Sequence, residues 1–447
     1  MFWSFRRLQN RCFSLLASAH LIDIYKHVIV KISNQIFTGV LNMNIKIINK
    51  SLNSGGAAKA ALRLFEALKQ TNISVDHLAI FDHPKNSKSL KNKYVFNIIK
   101  KAYTLQNSIY KPTSLFSNFG QFQLPIQRKL VNSADIIHLH WVAEGVINIK
   151  EILSWNKPII WTMHDMWPFT GGCHYSNNCN KFVTICKKCP LLKNNMYFDL
   201  CYYFFLQKEK TFSQIKENRI CFVSPSRWLA KLAKSSNLIS KHSIEVIANP
   251  IDTNIFKPMD KSQIRKKFKI DSSRKLILFT AMGATSDLRK GFIHIEKLIT
   301  TLDPLLFQFI VLGEQSFKSY YNFSHKIINL GYQDNDSILA ELYNIADLTV
   351  VPSLQENLSN VIMESLSCGV PVAAFNIGGN NDLIIHLKNG YLANPFDTED
   401  LAKGISYILD INNYQRLSEN SVNYVRNHYS YPIIVSKYRD LYNKFLS

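Results

Sequence analysis

The segment Pro352-Ser353-Leu354-Gln355-Glu356-Asn357-Leu358-Ser359-Asn360-Val361-Ile362-Met363-Glu364-Ser365-Leu366-Ser367-Cys368-Gly369-Val370-Pro371-Val372 holds the densest information in this chain. A strand-like run, Asp347 to Val351, leads into it. Ser359 or Asn360 then caps a short helix, and Gly369 with Pro371 ends that helix before another apolar strand. Glu356 is therefore expected in the loop at the carboxyl end of a strand, and Glu364 on the first turns of the following helix. Open α/β sheets bind ligands at that edge. Free N–H groups at a helix start attract phosphate. Two carboxylates flanking such a start suit a ligand with hydroxyls on both sides of a diphosphate, and a nucleotide sugar is such a ligand. Two glutamates at this spacing also occur by chance in many helical proteins, so the surroundings must decide.

Working outward, short apolar runs alternate with amphipathic ones from Met43 onward. That alternation argues for α/β architecture with parallel sheets and helices on both faces. Strands are expected at Ile45–Ile48, Asp135–Leu139, Ile159–Met163, Ile220–Val223 and Glu245–Ile247. A second series runs through Lys275–Thr280, Phe307–Leu312, Ile327–Leu330, Leu348–Val351 and Val372–Phe375. Two series of similar size, in a chain of 447 residues, suggest two Rossmann-like domains. The stretch Asn249 to Pro258, with two prolines and several polar residues, suits the linker. The expected organisation is an extension over 1–42, a first domain over 43–248, a linker over 249–258, a second domain over 259–430 and a final helix over 431–447.

Further motifs fall at strand ends. Ser54-Gly55-Gly56 follows the first strand and precedes helical spacing at Ala57, Ala61, Leu64, Phe65 and Leu68. Glycines there let a ligand approach the backbone. The third glycine of the dinucleotide fingerprint is missing, and a plain tight turn is the alternative. His164, in Trp161-Thr162-Met163-His164-Asp165, ends a first-domain strand, and so do His138 and His140. Arg289-Lys290-Gly291 follows the second domain's first strand and Gly283. Cations there would neutralise a leaving diphosphate, and a solvated basic turn is the alternative. Asp334-Asn335-Asp336 looks like a metal-binding Asp-x-Asp but precedes a helix, so capping explains it better.

The stretch from Gly331-Tyr332 through Glu356, Glu364, Cys368-Gly369-Val370-Pro371-Val372 and Gly378-Gly379 to Asn389-Gly390 closely resembles the retaining glycosyltransferases of the GT-B fold, family 4, of bacterial surface-polysaccharide type. The match follows the order of elements over nearly all of residues 43–447. The resemblance implies two Rossmann-like domains facing each other across a cleft, with the last helix crossing back to the first domain. It implies a nucleoside-diphosphate sugar as donor, a glycan or lipid-linked hydroxyl as acceptor, and retention of anomeric configuration. His164, Glu356, Lys290 and Arg289 would then be catalytic. Gly55, Gly56, Gly283, Tyr332, Leu358, Ser359 and Glu364 would hold the donor, with Tyr332 on the base, Leu358 and Ser359 N–H groups on phosphate, and Glu364 on ribose. His138 and His140 are candidates for the acceptor side. The family often has Gly-Arg after the second domain's first strand; here Ala284 follows Gly283, and Arg289 takes that role. A catalytic cofactor is not required, because basic residues and helix starts can hold the diphosphate.

Four of the eight cysteines cluster as Cys173, Cys179, Cys186 and Cys189. The last pair has metal-knuckle spacing and the first gap is wider than usual. A structural zinc pinning the loop and free thiols in a reducing cytoplasm are both open readings. Disulfides are less favoured, since nothing else suggests export. Bacterial relatives carry a similar Cys-rich insert, as the resemblance implies.

Net charge is +21. It admits nucleic acid, anionic membrane or anionic substrates, but the lysines are scattered rather than clustered. A zinc-stabilised nucleic-acid-binding protein would leave Glu356, Glu364 and the strand-helix series unexplained, so no nucleic-acid partner is expected. A sugar-nucleotide epimerase of the same fold is the other alternative. No run of 18 apolar residues is present, so no spanning helix is expected. The aromatic run Met196 to Leu206, with lysines after it, reads as a core helix or as one lying on an anionic membrane. A cytoplasmic protein, peripheral at the inner membrane, fits. Residues 1–42 hold five Lys or Arg against one acid, and Met43 reads like a natural start. A misassigned start codon, a disordered or membrane-adhering arm, and a secretory signal are the three readings, the last disfavoured by its short, serine-interrupted apolar stretch.

Overall fold

The structure, a computed structural model, describes residues 43–52, 55–79, 90–117, 131–194, 198–270, 273–280, 283, 287–313 and 327–447. The readings of residues 1–42, Ser54, Ala284 and the start of the aromatic run at Met196 lie outside the described residues.

The first half contains β1 (Asn44–Asn49), α1 (Gly56–Lys69), β2 (Ser74–Ala79), α2 (Leu90–Tyr110), β3 (Ile136–Leu139), β4 (Ile159–Thr162), α3 (Leu200–Phe212), β5 (Ile220–Ser224), α4 (Arg227–Ser235) and β6 (Ser243–Val246). The second half contains α5 (Lys261–Lys267), β7 (Lys275–Thr280), α6 (Phe292–Thr301), β8 (Phe307–Leu312), β9 (Ile327–Asn329), α7 (Asp336–Asn344), β10 (Leu348–Val351), α8 (Asn360–Ser367), β11 (Val372–Phe375), α9 (Asn380–Leu383) and β12 (Gly390–Ala393). Three helices close the chain: α10 (Thr398–Leu409), α11 (Ile411–Tyr429) and α12 (Tyr431–Leu446).

Two six-stranded sheets result, in the orders β2-β1-β3-β4-β5-β6 and β12-β11-β10-β7-β8-β9. Every pairing in them is parallel. The central strands β3, β4, β5, β10 and β11 are buried along their whole length. That matches their near-continuous apolar sequences, because helices cover both faces of a parallel sheet. Two edge strands, β2 and β12, were not expected from the sequence. Polar Asp76 and His77 interrupt β2, and its exposed outer side removes the apolar run that marks a buried strand.

Amphipathic helices complete each layer. In α1, Ala61, Leu64, Ala67 and Leu68 are buried and pack with Ile45, Ile47, Ile136 and Ile160 of the first sheet. α12 joins that same cluster through Ile434, Val435, Tyr438, Leu441 and Tyr442. The chain therefore returns to the first sheet at its end, starting at Tyr431 with a proline in the first turn of the helix, where no N–H is lost. The aromatic run becomes α3, capped by Asp199, whose side chain accepts from Tyr202 N. Its Phe204, Phe205 and Phe212 sit in the first-domain core, so it is a core helix. No helix among the described residues is long and apolar enough to cross a membrane.

Two glycines set how closely the segments around the cleft approach. A Cβ on Gly378, whose φ is +52°, would lie 1.8 Å from the Glu356 carbonyl oxygen. One on Gly379 would lie 1.8 Å from the Asn357 carbonyl oxygen and 2.7 Å from Ser226 Cβ. Gly379→Ala is therefore expected to destabilise the fold by about 2 kcal/mol or more, since backbone must move to make room. Denaturant titration checks this, and an unchanged midpoint would contradict the contact.

Candidate functional site between the two sheets

The carboxyl ends of both sheets face one cleft of about 1040 Å³, at the upper end of the roughly 300–1,000 Å³ usual for small-ligand pockets. Gly55, Gly56, His164, Arg289, Lys290, Tyr332, Glu356, Leu358, Ser359 and Glu364 all line it. Gly283, with φ +65°, is not among the lining residues.

On the second-domain side, Ser359 is the N-cap of α8, and its hydroxyl accepts from Ile362 N at 3.3 Å. Glu356 sits in the loop before that helix. Lys290 Nζ lies 3.1 Å from Glu356 Oε2, so an ammonium and a carboxylate stand together beside a helix start. Arg289 is held differently. Its Nε and Nη2 donate to the two carboxylate oxygens of Asp287 at 3.0 and 2.6 Å. Asp287 thus offsets part of the positive charge expected of Arg289. Tyr332 is 41% exposed at the rim, leaving its ring available for contact.

Glu364 is buried. Its Oε2 accepts from the Tyr343 hydroxyl at 2.7 Å. Its Oε1 lies 2.7 Å from Arg63 Nη2 and 3.9 Å from Lys59 Nζ. Arg63 comes from α1 of the first domain and also donates from Nε and Nη2 to Asp336 at 3.1 and 2.9 Å. Lys59, one turn earlier on the same helix face, reaches Asp336 at 2.8 Å. Burial opposes the Arg63 charge, but Glu364 and Asp336 more than offset it and hold the guanidinium pKa above its ordinary value. Asn335 caps α7 as expected, accepting from Ser337 N and Ile338 N. The neighbouring Asp336 has the further, interdomain role that the sequence did not reveal.

Asn357 was also not anticipated. Its Nδ2 donates to the His164 carbonyl at 3.1 Å, and its Oδ1 accepts from the Ser226 hydroxyl at 2.6 Å. Asn360 Nδ2 donates to the Gly56 carbonyl at 3.2 Å. These bonds join the loop bearing Glu356 to the strand end bearing His164 and to the glycine loop.

His164 is half-buried at the end of β4, with Nε2 3.0 Å from His140 Nδ1. Burial pushes its pKa down to about 4, with Asp165 opposing. It is therefore neutral near pH 7. The acceptor-side expectation for His138 and His140 needs correction: neither lines the cleft. His138 lies between the Tyr442 hydroxyl at 2.7 Å and Thr162 Oγ1 at 2.8 Å, on the face that α12 covers. Burial pushes its pKa down to about 3, with His164 adding to the effect. His140 stands behind His164, and burial, then His138 and His164, push its pKa well below the ordinary value.

The cysteines group differently from their sequence spacing. Cys186 and Cys189 pair with Cys201 of α3, and Cys173 lies within reach of their charges. Cys179 is partly exposed, and none of the seven described cysteines forms a disulfide. Among the described residues, no three or more of His, Cys, Asp and Glu are arranged to hold a metal ion. Of the expected set Cys173, Cys179, Cys186 and Cys189, the members Cys173, Cys186 and Cys189 lie near one another. α3 brings Cys201 into the loop core.

Comparison with known proteins fits this geometry. A family profile described as "Glycosyltransferase Family 4" matches residues 54–255, and one described as "Glycosyl transferases group 1" matches residues 260–426. WcaC of Escherichia coli (strain K12), a glycosyl transferase named for colanic acid biosynthesis, is 25% identical over 74% of this chain and 83% of its own length. Sucrose-phosphate synthase from Thermosynechococcus elongatus superposes with a TM-score of 0.65 at 17% identity, covering 90% of this chain and 98% of that one. HepE from Anabaena, solved with UDP and glucose, superposes with a TM-score of 0.56 at 15% identity, covering 89% and 99%.

Three histidines with depressed pKa values make stability depend on pH. The unfolded chain binds their protons from about pH 6.5 downward, and the folded chain does not. Stability is present above that pH and is lost as pH falls. His138, His140 and His164 together are expected to remove on the order of 3 kcal/mol between pH 6 and pH 5. Urea titrations at both pH values measure this, and equal stabilities would contradict a neutral, buried trio.

Proposed function

The chain belongs to the family 4 glycosyltransferases of GT-B fold, and from that premise we propose that it moves a sugar from a nucleoside diphosphate to a hydroxyl of a glycan or lipid-linked acceptor, with the anomeric configuration retained. The Lys290–Glu356 pair at 3.1 Å beside the start of α8 carries this reading. Diphosphate meets the helix start and the Lys290 ammonium, which together offset the charge that grows as the sugar departs. Arg289, shared with Asp287, adds less. The Glu356 carboxylate accepts from hydroxyls of the transferred sugar. Glu364, which lines the cleft and is held by Arg63, accepts from a ribose hydroxyl, and Tyr332 packs on the base.

In the transfer itself, the bond from the anomeric carbon to the phosphate oxygen breaks and a bond to the acceptor oxygen forms on the same face. The acceptor's proton passes to the departing phosphate oxygen. His164, neutral because burial depresses its pKa to about 4, hydrogen-bonds the sugar without transferring a proton. WcaC is named for colanic acid biosynthesis, which supports a glycan acceptor, and HepE was solved with UDP and glucose, which supports a nucleotide-sugar donor.

A panel of nucleoside diphosphate sugars tests the proposal by diphosphate release. One donor is expected to be consumed, slowly in water and faster with acceptor. Lys290→Ala and Glu356→Ala are each expected to lower kcat by roughly a hundredfold or more. NMR of the product should show the donor's anomeric configuration. Inverted product would overturn the retaining mechanism, and turnover untouched by both substitutions would overturn the site.

A further inference from the structure

Arg63 belongs to the first domain, yet the carboxylates that hold it belong to the second. Its Nε and Nη2 donate to Asp336 Oδ2 at 3.1 and 2.9 Å, and Nη2 lies 2.7 Å from Glu364 Oε1. Lys59, one turn earlier on α1, lies 2.8 Å from Asp336 Oδ1 and 3.9 Å from Glu364 Oε1. The guanidinium also sits over the Phe256 ring, with Cζ 4.9 Å from its centre. Two cations from α1 thus meet two carboxylates from α7 and α8, and all four residues line the cleft. The side chains of Arg63 and Glu364 are 3% and 5% exposed, and those of Lys59 and Asp336 are 24% each. The Arg63–Glu364 pair is therefore the desolvated centre of the group.

That pair decides what Glu364 can offer a ligand. A carboxylate removed from water stays ionised at low cost only when a cation and hydrogen bonds replace the water. Arg63 supplies the cation on Oε1, and the Tyr343 hydroxyl donates to Oε2 at 2.7 Å. One donor on each oxygen fixes the plane of the group. An ionised carboxylate accepts about four hydrogen bonds, so lone pairs remain for a hydroxyl from the cleft. Among the described residues, Arg63 and Lys59 are the cations paired with Glu364. Lys59, at 3.9 Å, is beyond hydrogen-bond reach. Without Arg63, Glu364 would keep Tyr343 alone as a close partner.

We propose that Arg63 is a positioning residue for ribose recognition: it holds the Glu364 carboxylate from across the cleft, so the first domain completes a nucleoside site that lies on the second. The proposal rests on the transferase reading of the cleft. A ribose hydroxyl gains most from an acceptor that is charged and already oriented, and Arg63 provides both conditions without touching the nucleotide. Asp336 anchors Arg63 from its other side and holds Lys59 as well. The two carboxylates therefore have separate tasks, Glu364 toward the ligand and Asp336 toward the arginine.

The experiment is calorimetric titration of the full chain with UDP, GDP, ADP and CDP, followed by the 2′-deoxy and 3′-deoxy forms of the tightest binder. In the wild type one deoxy form is expected to bind roughly tenfold more weakly or worse, as for loss of a hydrogen bond to a charged group. Arg63→Gln is expected to weaken the parent nucleotide by roughly tenfold or more and to shrink the deoxy penalty below about threefold, because that penalty passes through Glu364. Asp336→Asn leaves the Arg63–Glu364 pair in place and is expected to keep the penalty. With the active donor, Arg63→Gln should raise KM by a larger factor than it lowers kcat. Thermal unfolding reports whether each variant folds. Arg63→Lys, a cation without the planar fork, replaces Arg63→Gln in the comparison if the latter does not fold, and its deoxy penalty should be less than half that of the wild type. A deoxy penalty that is the same with and without Arg63 overturns the proposal and leaves Arg63 a structural tie. Tighter binding by the Arg63 variant overturns it in the other direction, as does a penalty lost equally in Asp336→Asn. A wild type that binds none of the four nucleotides overturns the transferase reading of the cleft, and the proposal with it.

Discussion

Arg63 lies 3% exposed between two carboxylates of the other domain. A buried guanidinium is stable only when its partners are in place, and removing one partner typically costs about 3–5 kcal/mol. α1 is therefore tied to the starts of both α7 and α8. Those are the helices that follow the carboxyl ends of the second sheet, and α1 follows the carboxyl end of the first. One ion network thus faces the two ligand-binding edges toward each other. The cleft and its mixed lining follow from that constraint.

Short polar contacts refine what the ion network sets. Asn357 links the Glu356 loop to the His164 carbonyl and to Ser226, and Asn360 links α8 to the glycine loop. Gly378 and Gly379 let their segment pack directly on the carbonyls of Glu356 and Asn357. Burial keeps His164 neutral, and the helix behind it keeps His138 out of the cleft. Both walls of the cleft carry charges of both signs: Lys290 with Glu356 on the second-domain side, Lys50 with Glu144 on the first.

The central strands could be read from the sequence because parallel strands buried on both faces are apolar throughout. Lys275–Thr280, Phe307–Leu312, Leu348–Val351 and Val372–Phe375 lie where they were expected. The edge strands β2 and β12 were missed because one open side permits polar residues such as Asp76. Glu356, Lys290 and the Ser359 cap were legible because each lies at a strand end next to turn chemistry. His138 was not, since strand alternation shows that a residue faces one side without saying what covers that side. Arg63 with Asp336, and Cys201 with Cys189, are joined only by the fold, and no local spacing announces them.

The most direct test is a crystal structure of the chain with its preferred nucleoside diphosphate. The account predicts the diphosphate against Lys290 and the start of α8, and a ribose hydroxyl within hydrogen-bond distance of Glu364 Oε1. Arg63 should remain paired with Asp336. A nucleotide bound away from Glu364, or a diphosphate held by groups of the first domain alone, would contradict it.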